Sequence, residues 1–511
     1  MRRVEIYDTT LRDGAQAEDI SLSLDDKVSI VSKLDQLGVH FIEAGCPGAN
    51  PKDDKLFARL RQMHPKNATI LAFCSTCRPG QTPENDRLIK AVLNARPQGV
   101  TIFGKTWDIH VSGQGGLGCT LEENVRMIRD TVAFLKTHYP MVIFDAEHFF
   151  DGFRANSEYA LAAVKAASLG GADRVVLCDT NGGSLPDYIA ATVGRVKATI
   201  TSPIGIHCHN DSELAVANSL SAVQAGAVQV HGTINGVGER CGNANLCSII
   251  PTLSLKLGCE TIPRENLGML SEISRFFDDI ANLSHDKHQP YVGEAAFAHK
   301  GGVHVSAVMG DPSTYEHIDP SLVGNQRKVL VSEHSGKSNI IYKAREFNID
   351  LSRDDATAAE IVKSIKDLED CGFQFEGADA SLELLMKKAM GEHMRFFKLK
   401  GFRVNTERRS DDTDPVSEAT IMIEVDGNVE HTAALGNGPV NALDRALRKA
   451  LSKFYPSIEE VQLLDYKVRV ISSRKGTESV VRVLIESGDR KDHWSTVGVS
   501  SNILEASWMA L

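Results

Sequence analysis

The stretch LGVHFIEAG, residues 37–45, decides the fold of this chain. A glycine ends an amphipathic helical pattern, and an apolar run typical of a buried strand begins two residues later. The same joint returns near the other end of the first half of the chain, in AGAVQVHGT, residues 225–233. A helix–glycine–strand joint is expected in proteins whose helices and strands alternate, so both stretches predict an α/β fold.

The alternation of strand and helix runs through the first 260 residues. The candidate strands are Val4–Thr10, Phe41–Gly45, Thr69–Ser75, Gly99–Gly104, Val142–Glu147, Arg174–Thr180, Ile204–His209 and Val228–Thr233. Amphipathic segments follow them, including Asp25–Leu37, Leu121–Lys136, Ser157–Leu169 and Leu185–Ala198. Eight such units over about 250 residues predict a (β/α)8 TIM barrel. A doubly wound open sheet is the alternative, but it would more often show a glycine-rich turn after its first strand, where this chain has DTTLRDG.

The remaining chain predicts two further regions. Helical patterns cover Leu267–Asn282, Glu333–Phe347, Ala356–Cys371 and Ser381–Met390, and a polar, glycine-rich segment at 299–325 is expected to be irregular. Beyond Gly401, strands are predicted at Arg403–Thr406, Ser417–Val425, Val429–Ala434, Val461–Ile471, Ser479–Glu486 and His493–Val499, with a charged turn at 406–414 and helices at Val440–Phe454 and Ser501–Leu511. The expected domains are a barrel at 1–265, helical linker subdomains at 266–400 and an α+β domain at 401–511. No repeat beyond the βα unit is visible.

Composition excludes several classes of protein. The net charge of −11 and the absence of a basic stripe argue against nucleic acid as a partner. Ten cysteines in 511 residues are too sparse for a disulfide scaffold and favour reduced thiols in the cytoplasm. The amino terminus runs straight into a strand without a signal peptide, and no run approaches the roughly 18 apolar residues of a membrane span.

Polar residues cluster where the predicted strands end. Because chemistry in a TIM barrel lies at the carboxyl ends of the strands, these residues are the candidates for a site. They are Arg12, Asp13 and Gln16 after the first strand, Glu43, Glu147, Asp179 and Thr180 at later ones, His207 and His209, and Glu239, Arg240, Asn243 and Asn245 after the eighth.

Four of these side chains predict a metal site. His207 and His209 lie two residues apart on a strand, so both imidazoles point to the same side. Closure of the barrel brings the first strand beside the last two, which lets Asp13 and Asn243 reach the same point. Mixed nitrogen and oxygen ligands suit Zn, Mn or Co, and Mg is compatible where water or substrate oxygens complete the shell. The alternatives are two hydrogen-bonded core histidines and an aspartate that serves as a helix N-cap or turn residue.

A metal with open positions suits chelation of a 2-oxo acid, which makes the keto carbon an electrophile. Arg12 would then offset charge on the keto oxygen, and Gln16 is a further candidate for substrate binding. Glu147 is a candidate general base, and Thr180 a donor to the substrate carboxylate. A salt bridge at the barrel end, a hydrogen bond to a histidine and a helix cap are the respective alternatives for Arg12, Glu147 and Thr180.

Three motifs carry a family resemblance. DTTLRDGAQ (8–16), HCHND (207–211) and GVGERCGNANL (236–246) resemble the signatures of the metal-dependent Claisen-condensing TIM barrels. That family includes 2-isopropylmalate, homocitrate and citramalate synthases, with hydroxymethylglutaryl-CoA lyase as a distant relative. The resemblance covers the whole chain. It implies a homodimer with a catalytic barrel, a helical linker and a regulatory domain, and a divalent metal held by Asp13, His207, His209 and Asn243.

The resemblance also implies roles for other residues. Arg12, Glu147 and Thr180 match the family's substrate-site and catalytic residues. His304, in GGVHVSAV, resembles the linker histidine that helps to deprotonate acetyl-CoA, and Tyr315 resembles the linker tyrosine at the same site. In dimers of this family the linker reaches the barrel of the neighbouring subunit, which would explain a polar segment so far along the chain from the other site residues.

Residues 17–53, which contain GANPKD, resemble the citramalate synthase branch most. The resemblance implies an acyltransferase that condenses acetyl-CoA with pyruvate to citramalate and CoA, in threonine-independent isoleucine synthesis. Phe103 could fill the space that an isopropyl group would need, although one alkyl group gives only about 1–3 kcal/mol of discrimination. A 2-isopropylmalate synthase acting on 2-oxoisovalerate is the nearest alternative. A lyase and a non-catalytic amino-acid sensor are further ones.

The stretch Gly436-Asn437-Gly438 precedes a helix that Pro439 opens. Glycines before a helix leave backbone amides free for an anion. In the family this domain binds an end-product amino acid, so the resemblance implies isoleucine as effector. A tight strand-to-helix turn without a ligand is the alternative.

Overall fold

The computed structural model describes residues 2–351, 355–408, 411, 414–471 and 479–511. These residues form two compact units. The first comprises the chain up to Phe297 together with Ile318–Gln326, and the second comprises Ala298–His317 and Arg327–Leu511. Residues 409, 410, 412 and 413 of the predicted charged turn lie outside the described residues.

The first unit is a closed barrel of eight parallel strands, each hydrogen-bonded to the next and β8 to β1. The strands are β1 Glu5–Asp8, β2 Phe41–Gly45, β3 Thr69–Ser75, β4 Gly99–Lys105, β5 Val142–Glu147, β6 Arg174–Asp179, β7 Ile204–Cys208 and β8 Gln229–Gly232. The helices are α1 Leu24–Leu37, α2 Pro51–Leu60, α3 Arg87–Ala95, α4 Ile109–Ser112, α5 Leu121–Lys136, α6 Phe149–Ala155, α7 Ser157–Leu169, α8 Pro186–Lys197, α9 Ala215–Ala225, α10 Leu246–Pro251 and α11 Leu270–Ala281. The TIM barrel is confirmed, and the open sheet is wrong.

The joint between α1 and β2 forms as the sequence predicts. Ser23 opens α1 with a reciprocal capping box to Asp26. Gly38 ends the helix in the left-handed region, with φ of 90°. A Cβ at this position would lie 2.5 Å from the Cδ atom of Pro263, so only glycine fits the turn. The chain therefore enters β2 at once and carries Glu43 to the carboxyl end of the barrel.

The strands bury apolar side chains on both faces. Residues pointing outward, such as Ile42, Ile102 and Phe144, pack with the helices in one large core. A smaller core fills the barrel itself and contains Tyr7, Phe41, Leu71, Ile143, Val176 and Cys178. Because the strand ends beyond this inner core carry polar residues, the carboxyl end of the barrel interior is left for chemistry.

The second unit combines helices with antiparallel sheets. Its elements are β9 Ala298–His299, α12 Gly302–Gly310, β10 Lys328–Val329, α13 Lys337–Glu346, α14 Asp355–Asp370, α15 Asp379–Ala389, β11 Lys398–Glu407, β12 Val416–Val425, β13 Asn428–Gly436, α16 Pro439–Leu451, β14 Gln462–Val470, β15 Val481–Gly488, β16 His493–Ser500 and α17 Ile503–Ala510. The α+β character is confirmed, and the boundary predicted at residues 400 and 401 stays a prediction. None of the helices described in either unit has the length and apolar character needed to cross a bilayer.

Two features of the second unit correct the sequence prediction. The segment at 299–325 is not irregular throughout, because α12 forms within it and buries Val305 and Val308, three residues apart on one face. The carboxyl-terminal part also repeats a unit of three antiparallel strands and a helix, as β11–β13 with α16 and as β14–β16 with α17. The two copies share this order of elements and a central strand that buries alternate residues, such as Ile421 and Ile423 on β12 and Val483 and Ile485 on β15.

A buried ion pair fixes the loop after β2. Lys27 on α1 donates to Asp53 on α2 at 2.8 Å, and each side chain is less than a tenth exposed. The second carboxylate oxygen of Asp53 accepts the backbone amide of Cys46 at 3.0 Å. The pair therefore ties two outer helices to the loop that follows Glu43.

We expect Lys27→Met to lower the free energy of unfolding by about 3 kcal/mol, because it leaves the Asp53 carboxylate buried without its cation. Chemical denaturation of the purified chain measures the change. Lys33→Met on the same helix is the matched control, since Lys33 pairs with the exposed Glu272 and such pairs contribute only about 0–1 kcal/mol. Equal losses in the two variants would contradict the importance of the buried pair.

Candidate active site

A cavity of about 230 Å³ opens at the carboxyl end of the barrel. Its lining residues come from seven of the eight strands or the loops that follow them. They are Arg12, Asp13, Gln16, Phe73, Phe103, Asp145, Glu147, Cys178, Thr180, His207, His209 and Glu239. The structure thus brings together all the barrel residues predicted for substrate binding and three of the four predicted metal ligands.

The two histidines and Asp13 converge on one point. The Nε2 atoms of His207 and His209 lie 3.3 Å apart. The Oδ2 atom of Asp13 lies 3.7 Å from the first and 3.9 Å from the second. All three residues are buried, and one ligand atom from each lies within 4.8 Å of the other two, so the three could bind a single cation. Closure of the barrel through β1 and β8 produces this meeting, as predicted.

Asn243 completes the group. Its Nδ2 atom donates to Oδ1 of Asp13 at 3.0 Å and to the carbonyl of Val237 at 3.2 Å. Its Oδ1 atom is buried and has no hydrogen-bond partner among the described residues. An orphaned buried oxygen is costly unless a cation or a donor reaches it, so the amide fits a metal ligand.

The protonation states of the group suit a metal. Burial lowers the pKa of His207 to about 3, with a further contribution from His209. Burial also lowers the pKa of His209. Burial acts to raise the pKa of Asp13, but the charge of Arg12 and the two histidines lower it below its ordinary value. Neutral imidazoles and an ionised carboxylate are the forms that bind a divalent cation. Asp13 does lie in a turn, at the start of the short 3-10 helix Gly14–Gln16, but its side chain makes no capping bond to that helix.

Arg12 links the metal group to the barrel wall. Its Nε atom donates to Oε2 of Glu43 at 2.6 Å, and one terminal nitrogen donates to Oδ2 of Asp13 at 2.9 Å. The guanidinium lies 3.9 Å from the centre of the Phe73 ring. Glu43 also accepts the hydroxyl of Tyr7 at 2.6 Å. Arg12 therefore makes the salt bridge that was its alternative role and still lines the cavity.

Glu147, at the end of β5, and Thr180, just after β6, both line the cavity, and their two strands are neighbours in the barrel. Glu147 forms an ion pair with Lys105 at the end of β4. The Thr180 hydroxyl oxygen accepts the backbone amide of His148 at 2.8 Å, which leaves its own hydrogen free for a donor role. Thr180 is not a helix cap, because α8 begins at Pro186 after an N-cap at Leu185.

Three lining residues were not predicted: Phe73, Asp145 and Cys178. Lys105, the ion-pair partner of Glu147, was not predicted either. The alternation of a strand could have found them, since residues two apart share a face. Asp145 stands two residues before Glu147, in the same relation as His207 to His209. Phe73 and Phe103 stack with ring centres 5.1 Å apart and form the apolar wall.

The predicted linker residues form a separate cluster in the second unit. His304 and Tyr315 stack with ring centres 4.3 Å apart and an angle of 29° between the planes. Glu316, the next residue, is buried and accepts two hydrogen bonds from Arg327, at 2.5 and 2.6 Å. His299 lies 3.0 Å from the same carboxylate. A buried ion pair thus anchors the turn that holds the two rings together, and their catalytic role stays a prediction.

The predicted effector loop joins β13 to α16. Gly436 ends the strand and Gly438 precedes the helix. The backbone N–H of Asn437 donates to Oδ1 of Asn441 at 3.3 Å. A shallow cavity of about 630 Å³ begins one residue before the loop. It is lined by Glu418, Ala433, Ala434, Leu435, Arg445, Arg448 and Lys449. Effector binding at the loop stays a prediction.

Comparison with known families covers almost the whole chain. The HMGL-like family model matches residues 3–276, the homocitrate synthase post-HMGL domain-like model matches 291–372, and the LeuA allosteric (dimerisation) domain matches 376–511. The (R)-citramalate synthase of Geobacter sulfurreducens is 57% identical over 100% of this chain and 96% of its own length. That of Aquifex aeolicus is 55% identical, again over 100% of this chain and 96% of its own length.

The chain belongs to the citramalate synthase family. A 2-isopropylmalate synthase of Methanocaldococcus jannaschii is more distant, at 32% identity over 99% of this chain and 92% of its own length. The family predicted from the three motifs is therefore confirmed, as is the prediction of an enzyme. In this citramalate synthase family member, the group of Asp13, His207 and His209 could hold a divalent metal.

We expect Gly238→Ala to weaken metal binding by about 10- to 100-fold, the range for disturbing residues that orient ligands. A Cβ at Gly238 would lie 2.1 Å from Nδ2 of Asn243 and 3.4 Å from Oδ1 of Asp13. The new methyl group must therefore displace the amide from Asp13. Equilibrium dialysis against Mn or Zn measures the affinity.

Gly183→Ala is the matched control, because a Cβ at Gly183 would meet no atom within 4 Å. Circular dichroism should show both variants folded. Unchanged metal affinity in Gly238→Ala would mean that the Asn243 amide does not contribute to the site.

Proposed function

We propose that this chain is a citramalate synthase, which condenses acetyl-CoA with pyruvate and water to give citramalate and CoA. The full-length identity of 57% to an (R)-citramalate synthase carries the proposal. The cavity supports it, because a cation group, an arginine and a free hydroxyl donor surround a space of about 230 Å³, suited to a small anionic substrate.

Asp13, His207, His209 and Asn243 would hold the divalent metal. When bound there, the metal would act as a Lewis acid that polarises a carbonyl oxygen. Zn, Mn, Co and Mg are all compatible with two imidazoles, a carboxylate and an amide oxygen. The buried, unpartnered oxygen of Asn243 and the two neutral imidazoles are the observations that fit the residues to the cation.

The 2-oxo acid would lie between Arg12 and Thr180. The guanidinium would stabilise negative charge that develops on the keto oxygen, and the Thr180 hydroxyl would donate to the carboxylate. Gln16 lines the same space and supplies a further polar contact. The stacked rings of Phe73 and Phe103 offer an apolar wall to the methyl group of pyruvate.

Carbon–carbon bond formation requires removal of a proton from the methyl group of acetyl-CoA. His304, or Glu147 through a water molecule, would take that proton, and Tyr315 would assist from its stack on His304. The enolate carbon then attacks C2 of pyruvate, and the keto oxygen gains a proton. Water finally attacks the citramalyl thioester and releases CoA with its thiol proton.

The second unit would serve regulation and assembly. A homodimer is proposed because residues 376–511 match the LeuA allosteric (dimerisation) domain. Isoleucine is proposed as the effector, bound at Gly436, Asn437 and Gly438. We also propose that the domains divide near residues 265 and 400. A cytoplasmic location is proposed as well, and the ten free cysteines support it.

We expect release of CoA from acetyl-CoA to depend on pyruvate, with kcat/KM for 2-oxoisovalerate lower by at least about tenfold, since Phe73 and Phe103 leave little room for an isopropyl group. A thiol-reactive dye follows the CoA. Dialysis against a chelator should abolish the activity, and added Mn or Co should restore it.

A preference for 2-oxoisovalerate would instead favour 2-isopropylmalate synthase. His209→Gln provides the control for the metal, because it should stay inactive after the cation is returned. Activity that survives the chelator would contradict the proposed metal group.

We expect isoleucine to inhibit CoA release and Asn437→Ala to weaken that inhibition by about tenfold, because the substitution removes a polar side chain from the loop before α16. Inhibition curves at saturating substrate measure the change. Asn428→Ala, at the far end of β13, is the control and should keep the inhibition. No response to isoleucine in the unmodified chain would contradict the effector assignment.

A further inference from the structure

Asp145 is a carboxyl group inside the cavity that the proposed mechanism does not use. It lies on β5, two residues before Glu147, and pairs in register with Phe103 on β4 and Val176 on β6. Its side chain lines the same cavity as Arg12 and His207. The residue is only 4% exposed.

The Asp145 carboxyl group is only partly stabilised by the described residues around it. Its Oδ1 atom is buried without a hydrogen-bond partner among the described residues. Arg12, the cation of the metal side, is bound to Glu43 and Asp13. Lys105, the cation of the other side, is paired with Glu147. Arg12, which lines the cavity, and Lys105, beside Glu147, therefore each already have a carboxylate, and Asp145 forms no ion pair with a described residue.

Its surroundings favour the neutral acid. Burial raises the pKa of Asp145 well above its ordinary value, and the nearby Glu43 carboxylate raises it further. Arg12 acts in the opposite direction, while Asp13 and Glu147 add to the rise. A carboxylic acid held neutral in an apolar site can donate a hydrogen bond, as in the oxyanion hole of ketosteroid isomerase.

We propose that Asp145 is a further catalytic residue, which donates a hydrogen bond from its carboxylic acid to an oxygen of the bound 2-oxo acid. The inference rests on the proposed function and deepens it. A 2-oxo acid is an anion that offers only acceptor oxygens, so a neutral donor in the cavity wall complements it and an ionised carboxylate would repel it. A hydrogen bond to the bound 2-oxo acid would explain why Asp145 lies on the cavity wall with an unpartnered carboxyl oxygen.

The test compares Asp145→Asn with Asp145→Leu. Asparagine keeps the volume and an N–H donor, whereas leucine keeps a similar shape without a donor. We expect Asp145→Leu to lower kcat/KM for pyruvate by about 10- to 100-fold, the range for one hydrogen bond to a charged ligand, with KM for acetyl-CoA changed less than about threefold. Asp145→Asn should stay within about fivefold of the unmodified chain.

Calorimetric titration of the metal-loaded protein with pyruvate alone gives a second readout, because it needs no turnover. The affinity for pyruvate should fall in Asp145→Leu and be kept in Asp145→Asn. Asp187→Asn, on the exposed first turn of α8, controls for loss of an acidic group. If the leucine variant does not fold, Asp145→Ala takes its place as the variant without a donor.

Equal losses in the asparagine and leucine variants would overturn the proposal, as would a leucine variant with unchanged pyruvate affinity. Failure of the proposed function has a different signature. The unmodified chain would then release no CoA with pyruvate and would bind no pyruvate, whatever residue stands at position 145.

Discussion

One guanidinium group holds the carboxyl end of the barrel together. Arg12 binds Glu43 on one side and Asp13 on the other, and both carboxylates are buried. Without that cation, two negative charges would lie in the barrel unpaired, at a cost of several kcal/mol each. The same contact lowers the pKa of Asp13, which lies beside His207 and His209 and could bind a cation together with them. The metal group is therefore a consequence of the charge balance around Arg12.

The same charge pairing gives the cavity two charge-compensated sides and an apolar wall between them. Arg12 neutralises the side of the metal group, and Lys105 neutralises Glu147 on the opposite side. Phe73 and Phe103 close the space between them with an apolar wall. A small anion with one alkyl group meets complementary chemistry on every side of such a space. Phe73 of this wall also packs against the Arg12 guanidinium, so the apolar wall and the charge pairing are coupled.

The sequence predicts those parts of this architecture that depend on neighbouring residues in the chain. The bounds of β2, β3 and β5 agree with their predicted strands, because glycines and polar clusters mark both ends. Convergence of Asp13, His207 and Asn243 follows from closure of eight units, so this group of candidate metal ligands could be predicted from the sequence. The helix within 299–325 could not, since two leading glycines hide a short apolar face. Neither could the repeated strand–helix unit, because its two copies share only burial alternation.

The local sequence does not predict which side chains pair across neighbouring strands. Asp145 and Glu147 stand on one strand, face one cavity and differ by a single methylene group. The lysine that compensates Glu147 comes from β4, at a register position that only the folded sheet defines, where Lys105 lies opposite Glu147 and Phe103 opposite Asp145. One carboxyl thus receives a cation and the other an aromatic ring. Two acidic residues of equal appearance in the sequence therefore acquire different chemistry, because the neighbouring strand alternates between a charged and an apolar side chain at the same depth in the barrel.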